Sequence, residues 1–172
     1  MKTRTGLRIL VLAAFLSVAA ALNAEPNVDG IITPGEYTHQ LAVIDGTATV
    51  SWSPDGRGGL YLAASAPTPG WVGLGLGSQV MDGASIFMGY VADGKPVFSE
   101  QKGRGHSHTP ATARQADQSA VASQDGRTVI EFHLPAAAVP GNSIPFITAY
   151  AGVPDLSTFH EDNLDAGTIT LP

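Results

Sequence analysis

Beyond Met1 the chain carries two methionines, five histidines and no cysteine, and these few side chains bound the chemistry open to it. The lack of cysteine excludes a disulfide framework, thiolate catalysis, iron–sulfur clusters and haem attached through Cys-x-x-Cys-His. Any cofactor must be held by other groups. Met88 sits within Ser85–Val91, sharing a face with Ile86 and Tyr90, and reads as core filler. Met81 follows a glycine-rich run in a connection beside Asp82-Gly83, where a side chain from a loop can reach over the edge of a cofactor. His160 stands between Ser157-Thr158-Phe159 and an acidic segment, and a lone histidine of this kind is more often exposed or satisfied in a core than a ligand. His39 and His133, at strand ends, read as structural or solvent-facing. His106 and His108 are two apart in a glycine-bearing polar insertion, a spacing that suits a divalent metal only if a third ligand comes from elsewhere. No nucleophile elbow, His-Glu-x-x-His, phosphate loop or dinucleotide fingerprint is present. Asp162 and Asp165 read as solvated loop charges rather than as an acid and base pair.

The elements that must position these groups are strands. Short β-branched and aromatic runs alternate with Gly, Pro, Asp and Asn, and no helical periodicity is sustained. Strands are expected over 40–53, 59–65, 71–76, 85–91, 96–100, 119–123, 128–133, 144–150 and 168–171, with 101–118 as a long loop. Asp93-Gly94 and Asp125-Gly126 are hairpin turns. Such spacing predicts a sandwich or a barrel. Within Trp71–Gly77, alternation sends Val72, Leu74 and Leu76 to one face and Gly73, Gly75 and Gly77 to the other. A bare glycine face means that something flat lies against the strand, a porphyrin or a closely packed opposing sheet, or that the strand bends sharply there.

Lys2, Arg4 and Arg8 precede an apolar run from Ile9 to Ala21, the order of a secretory signal, with small residues at Ala21 and Ala24 for cleavage. We therefore expect residues 1–24 to be a signal peptide and 25–172 to be one domain, exported to the periplasm or the extracellular space, with no membrane span after processing. Removing residues 1–24 takes away three of nine basic residues and none of fifteen acidic ones, so the net charge moves from −6 to −9. An acidic surface argues against nucleic acid and suits a basic protein partner.

Three blocks then carry a resemblance. Asp29-Gly30-Ile31-Ile32-Thr33-Pro34-Gly35-Glu36-Tyr37, the central Pro69–Gly77 run followed by Met81-Asp82-Gly83-Ala84, and Phe159-His160 ahead of Ala166–Leu171 together resemble prokaryotic haem-binding DOMON proteins. The resemblance spans nearly all of residues 25–172. It implies an all-β, antiparallel β-sandwich of immunoglobulin-like two-sheet architecture, related to the cytochrome domain of cellobiose dehydrogenase. It also implies one non-covalent b-type haem ligated by Met81 and His160, with Gly73, Gly75 and Trp71 beside the porphyrin. Phe87 and Tyr90 are further candidates for an aromatic wall. With both axial positions filled, the implied work is one-electron transfer rather than catalysis, with an envelope redox protein such as a membrane cytochrome or dehydrogenase as partner. The alternatives are a haem-free module binding a sugar or other small ligand, and a metal-handling protein built on His106 and His108.

Overall fold

The computed structural model describes residues 24–172, so the expected signal peptide, apart from Ala24, lies outside the described residues. Among the described residues eleven strands form two antiparallel sheets. In chain order they are β1 His39–Val43, β2 Ala48–Pro54, β3 Leu60–Ala66, β4 Val72–Leu76, β5 Ser85–Ala92, β6 Lys95–Arg104, β7 Ser107–Pro110, β8 Gln118–Gln124, β9 Arg127–Leu134, β10 Ser143–Tyr150 and β11 Leu164–Thr170, with one 3-10 turn at Ala136–Ala138. One sheet runs β1-β2-β3-β9-β8 and the other β11-β10-β4-β5-β6-β7, which is the expected all-β sandwich.

Three boundaries differ from expectation. The run over 40–53 is broken by a turn in which Ile44, Asp45 and Gly46 all have positive φ, so two strands replace one. β6 continues to Arg104 and pairs with the short polar strand β7, so the 101–110 part of the loop expected over 101–118 is a hairpin. β11 begins at Leu164, four residues early, because Asp165 and Ala166 pair with Thr148 and Ile147 despite their poor strand propensity. Asp93-Gly94 and Asp125-Gly126 turn as expected, each with φ of 51–52° at Asp and 70–74° at Gly.

The core between the sheets is built by alternation. Leu62, Ile130 and Phe132 of one sheet face Leu74, Phe87 and Phe146 of the other, and the Phe87 and Phe132 rings stack at 4.3 Å. Each such side chain contributes about 1.5–3 kcal/mol on burial. Phe87 therefore belongs to the inter-sheet core and not to the wall of a site on an outer face, contrary to the sequence reading.

The outer face of the five-stranded sheet is covered by the segment 29–37. Glu131 of β9 is fully buried beneath it and accepts hydrogen bonds from Gly30 N at 2.6 Å, Asp29 N at 3.2 Å and Tyr37 Oη at 2.8 Å. Gly30 is required there: its φ is +88°, and a Cβ would lie 2.8 Å from Ala122 Cβ. Tyr37→Phe removes a hydrogen bond to a buried carboxyl group, and we expect a loss of about 1–3 kcal/mol in urea unfolding. Burial holds the Glu131 carboxyl above the usual carboxylate range, against the opposing effect of its three donors. The folded chain then binds this proton more tightly than the unfolded one. The Glu131 contribution to stability is therefore full below the unfolded pKa and is lost as pH rises through the folded one.

Candidate cofactor site

The outer face of the six-stranded sheet is a concave, largely apolar floor. Val72, Leu74 and Leu76 of β4 point into the inter-sheet core, so Gly73 and Gly75 face away from the opposing sheet, which rules out close sheet packing as the reason for the glycines. Cross-strand neighbours explain part of them. A Cβ on Gly75 would lie 2.8 Å from Ile147 Cγ2, and one on Gly73 would lie 3.3 Å from Met88 Cγ. These side chains of β10 and β5 lean over β4 and level the floor. Gly77 plays a different part. Its φ is +88°, it lies beyond the strand end, and its N–H donates to Pro145 O at 2.8 Å, so it terminates β4 instead of extending the bare face.

Over this floor lies a cavity of about 570 Å³ bordered by Trp71, Gly73, Gly75, Met81 and His160, so all five residues expected around a cofactor meet in one place. Its volume falls within the roughly 300–1,000 Å³ common for small-molecule and cofactor sites. Met88 is buried beside Ile86 and Tyr90 as expected, but the cluster it fills is this floor and not the space between the sheets.

Met81 is presented by a loop bolted to β6. Gly83 N donates to Gly103 O at 3.2 Å, Gly103 N to Ala84 O at 2.9 Å and Gly105 N to Asp82 Oδ1 at 2.8 Å, while Lys102 Nζ holds Gly83 O. The backbones approach so closely that only glycine fits at position 103.

His160 arrives on a strap, residues 151–163, folded across the same face. Trp71 Nε1 donates to Thr158 O at 3.2 Å, Tyr150 N to Asn163 O at 3.2 Å and Asn163 N to His160 O at 3.0 Å. Between the last two residues the chain turns with Glu161 at a φ of 53°, which directs the Glu161 carbonyl back onto His160 Nδ1 at 2.7 Å. A carbonyl oxygen only accepts, so Nδ1 carries a proton, and in the neutral imidazole the lone pair is on Nε2. That is the tautomer a metal-ligating histidine takes, with its other nitrogen fixed by a backbone acceptor.

The two loop histidines also border the cavity, which the sequence reading did not foresee. His108 is paired across strands with Gly103 and so shares the face to which Met81 is held. Its Nδ1 lies 3.3 Å from Gln101 Oε1, and Gln101 Nε2 donates to Ser99 Oγ at 2.6 Å. Burial holds the His108 imidazole below the usual histidine range, against the opposing effect of the Leu156 backbone. His106 is exposed at the rim. Among the described residues no three His, Cys, Asp or Glu side chains converge as a metal cluster. His39 stacks on Trp52 at 5.3 Å, and buried His133 lies between Asp117 at 2.7 Å and Asp55 at 3.3 Å, so both are structural. Gln101 and the strap residue Leu156 were missed from sequence. The alternation of β6, once its strand is extended, would have placed Gln101 on the site's face; Leu156 carried no signal.

No family model matches the chain, and no curated protein does. Solved structures share its architecture. The cytochrome b domain of pyranose dehydrogenase from Coprinopsis cinerea superposes with a TM-score of 0.57 at 14% identity, over 76% of this chain and 80% of that one. The cytochrome domain of Myriococcum thermophilum cellobiose dehydrogenase does so with a TM-score of 0.55 at 10% identity, over 73% and 75%. The chain therefore has the fold of these cytochrome domains. No helix among the described residues is long and apolar enough to cross a membrane.

Proposed function

We propose that this protein is an exported DOMON-type carrier that holds one non-covalent b-type haem between Met81 and His160 and exchanges single electrons with an envelope redox protein. The observation that carries the reading is the meeting of two suitable donors at one apolar cavity. A thioether on a braced loop and an imidazole with Nδ1 already committed border the same glycine-floored space. The fold is also that of two cytochrome domains.

When bound, the haem would be held by Met81 and His160 and would supply a one-electron iron couple. The chain's own residues then set its properties. Trp71, Ile86, Met88 and Ile147 exclude water from one side, which disfavours the extra charge of the oxidised state. The Glu161 carbonyl fixes the His160 tautomer and raises the basicity of Nε2. The Met81 thioether is a soft donor that favours the reduced state.

Titration of the purified chain with hemin tests the reading, with one equivalent and a low-spin, six-coordinate absorption spectrum as the expected result. A chain that takes up no hemin defeats it and leaves a module for a sugar or other small ligand. His106→Ala combined with His108→Ala is expected to leave one haem per chain, measured from extracted haem, because neither is assigned to the iron. Loss of haem in that variant would move the ligand assignment to the β6–β7 hairpin.

A further inference from the structure

The mouth of the cavity exposes apolar side chains that nothing in the described chain covers. Phe159 is 71% exposed and Leu164 42%, both bordering the cavity, and Val80, 61% exposed, immediately precedes Met81. Single exposed apolar residues are ordinary on a protein surface, whereas a group framing one opening marks a place of contact. Phe159 is also special in what it touches, since its ring centroid lies 4.5 Å from that of His160. The strap that presents the imidazole to the cavity thus presents an aromatic ring to solvent beside it.

Charge decides what such a surface meets. Arg127 is the last lysine or arginine in the sequence, and the strap and the start of β11 carry Asp155, Glu161, Asp162 and Asp165. Asp155 is engaged by Ser157, and Asp165 accepts Ile44 N at 2.8 Å. The Glu161 and Asp162 side chains are exposed and make no hydrogen bond or ion pair among the described residues. Lys102 and Arg104 of β6 alternate with Gln101 and Gly103, so they point away from the cavity face and do not offset this charge. The rim where Phe159 and His160 lie is therefore negative. A second copy of this chain, at −9 after export, would be repelled overall, and so would an anionic membrane surface.

Building on the haem reading, we propose that the strap around Phe159 is the docking surface for the electron-transfer partner. The partner is a redox protein whose cofactor edge is ringed by lysine and arginine. Phe159 makes the central apolar contact, and Glu161 and Asp162 form the charged rim that orients the encounter. The exchange moves one electron and makes or breaks no bond.

Stopped-flow oxidation of the reduced holoprotein by a lysine-rich mitochondrial cytochrome c tests this. Glu161→Gln with Asp162→Asn is expected to slow the bimolecular rate roughly fivefold or more at low ionic strength, and to flatten its decline with added salt. Phe159→Ala slows it as well, with the absorption spectrum unchanged. Asp93→Asn with Asp125→Asn removes the same charge at two hairpin turns outside the cavity, and it should leave the rate within about twofold. Oxidation by the small anion hexacyanoferrate(III) is not slowed in any of these variants. Equal slowing in both charge-neutralised pairs, or none in either, overturns the docking surface while the spectrum still reports the haem. If no haem binds, chemical-shift perturbation of the labelled chain by the same cytochrome c takes over as the readout. Perturbations centred on 153–164 uphold the surface, and a map elsewhere refutes it.

Discussion

His160→Ala is expected to release the haem, with an affinity loss beyond the roughly 10–100-fold typical when only an outer partner of a metal ligand is removed. No covalent link retains the porphyrin, since the chain has no cysteine. The imidazole is also the donor whose geometry is most fully set, by the Glu161 carbonyl on Nδ1 and by the strap bonded to Trp71 and Tyr150. Met81→Ala should behave differently, because the His160 anchor persists. Haem stays bound, the six-coordinate spectrum gives way to a five-coordinate one, and the reduction potential falls. Met81→His restores six coordination, but with a better donor to ferric iron, so the potential again falls below that of the unaltered chain. Met88→Leu is the control. It conserves volume on the cavity floor and costs less than about 1.5 kcal/mol, with the spectrum kept. Retention of six coordination in Met81→Ala, together with its loss in Met88→Leu, would exchange the roles of the two methionines. Glu161→Gly separates the carbonyl from its side chain. Glycine adopts the φ of 53° without strain and leaves the carbonyl in place, so haem affinity should be maintained.

The strands were legible in the sequence because their information is local. Alternation in Val72, Leu74 and Leu76 against Gly73 and Gly75 assigns both faces of β4 without any tertiary contact, and Asp93-Gly94 and Asp125-Gly126 specify their turns by backbone preference alone. Asp45-Gly46 was the same signal inside a longer apolar run, and the hydrophobicity around it masked the turn. β7 was illegible for a physical reason. Its residues Ser-His-Thr-Pro have no apolar face, and the strand exists because β6 offers an open edge to pair with. The same contrast holds at the site. Met81 and His160 stand out only through resemblance to a family, since neither spacing nor composition distinguishes a ligand from a bystander. Phe87 and Tyr90, three residues apart on one strand, point to opposite faces, so both could not have shared a wall. His108 joins the cavity through its pairing with Gly103, which depends on register within a hairpin whose existence the sequence did not announce.

Gly103→Ala should abolish methionine ligation although the residue touches no cofactor. A Cβ at this position would lie 1.8 Å from Met81 O and 2.8 Å from Met81 C, far inside contact, and both atoms are backbone, so no side-chain rotation relieves the overlap. The strand cannot retreat easily, because Gly103 N and O are both bonded to the Met81–Ala84 loop and β7 pairs along its other edge. The loop must therefore move, and with it the thioether. The expected product binds haem through His160, shows the five-coordinate spectrum of Met81→Ala, and loses about 1–3 kcal/mol of stability to overpacking. Tyr37→Phe serves as the reference for that loss, since it weakens the opposite sheet by a similar amount while the site is left intact. A spectrum altered in Gly103→Ala but not in Tyr37→Phe, at matched urea midpoints, ties the effect to the position of Met81. Asp82 grades the same brace. Asp82→Asn keeps an oxygen to accept Gly105 N and should preserve six coordination, whereas Asp82→Ala leaves that N–H without its partner and should loosen the loop. An unchanged spectrum and potential in Gly103→Ala would mean that Met81 does not hold the iron.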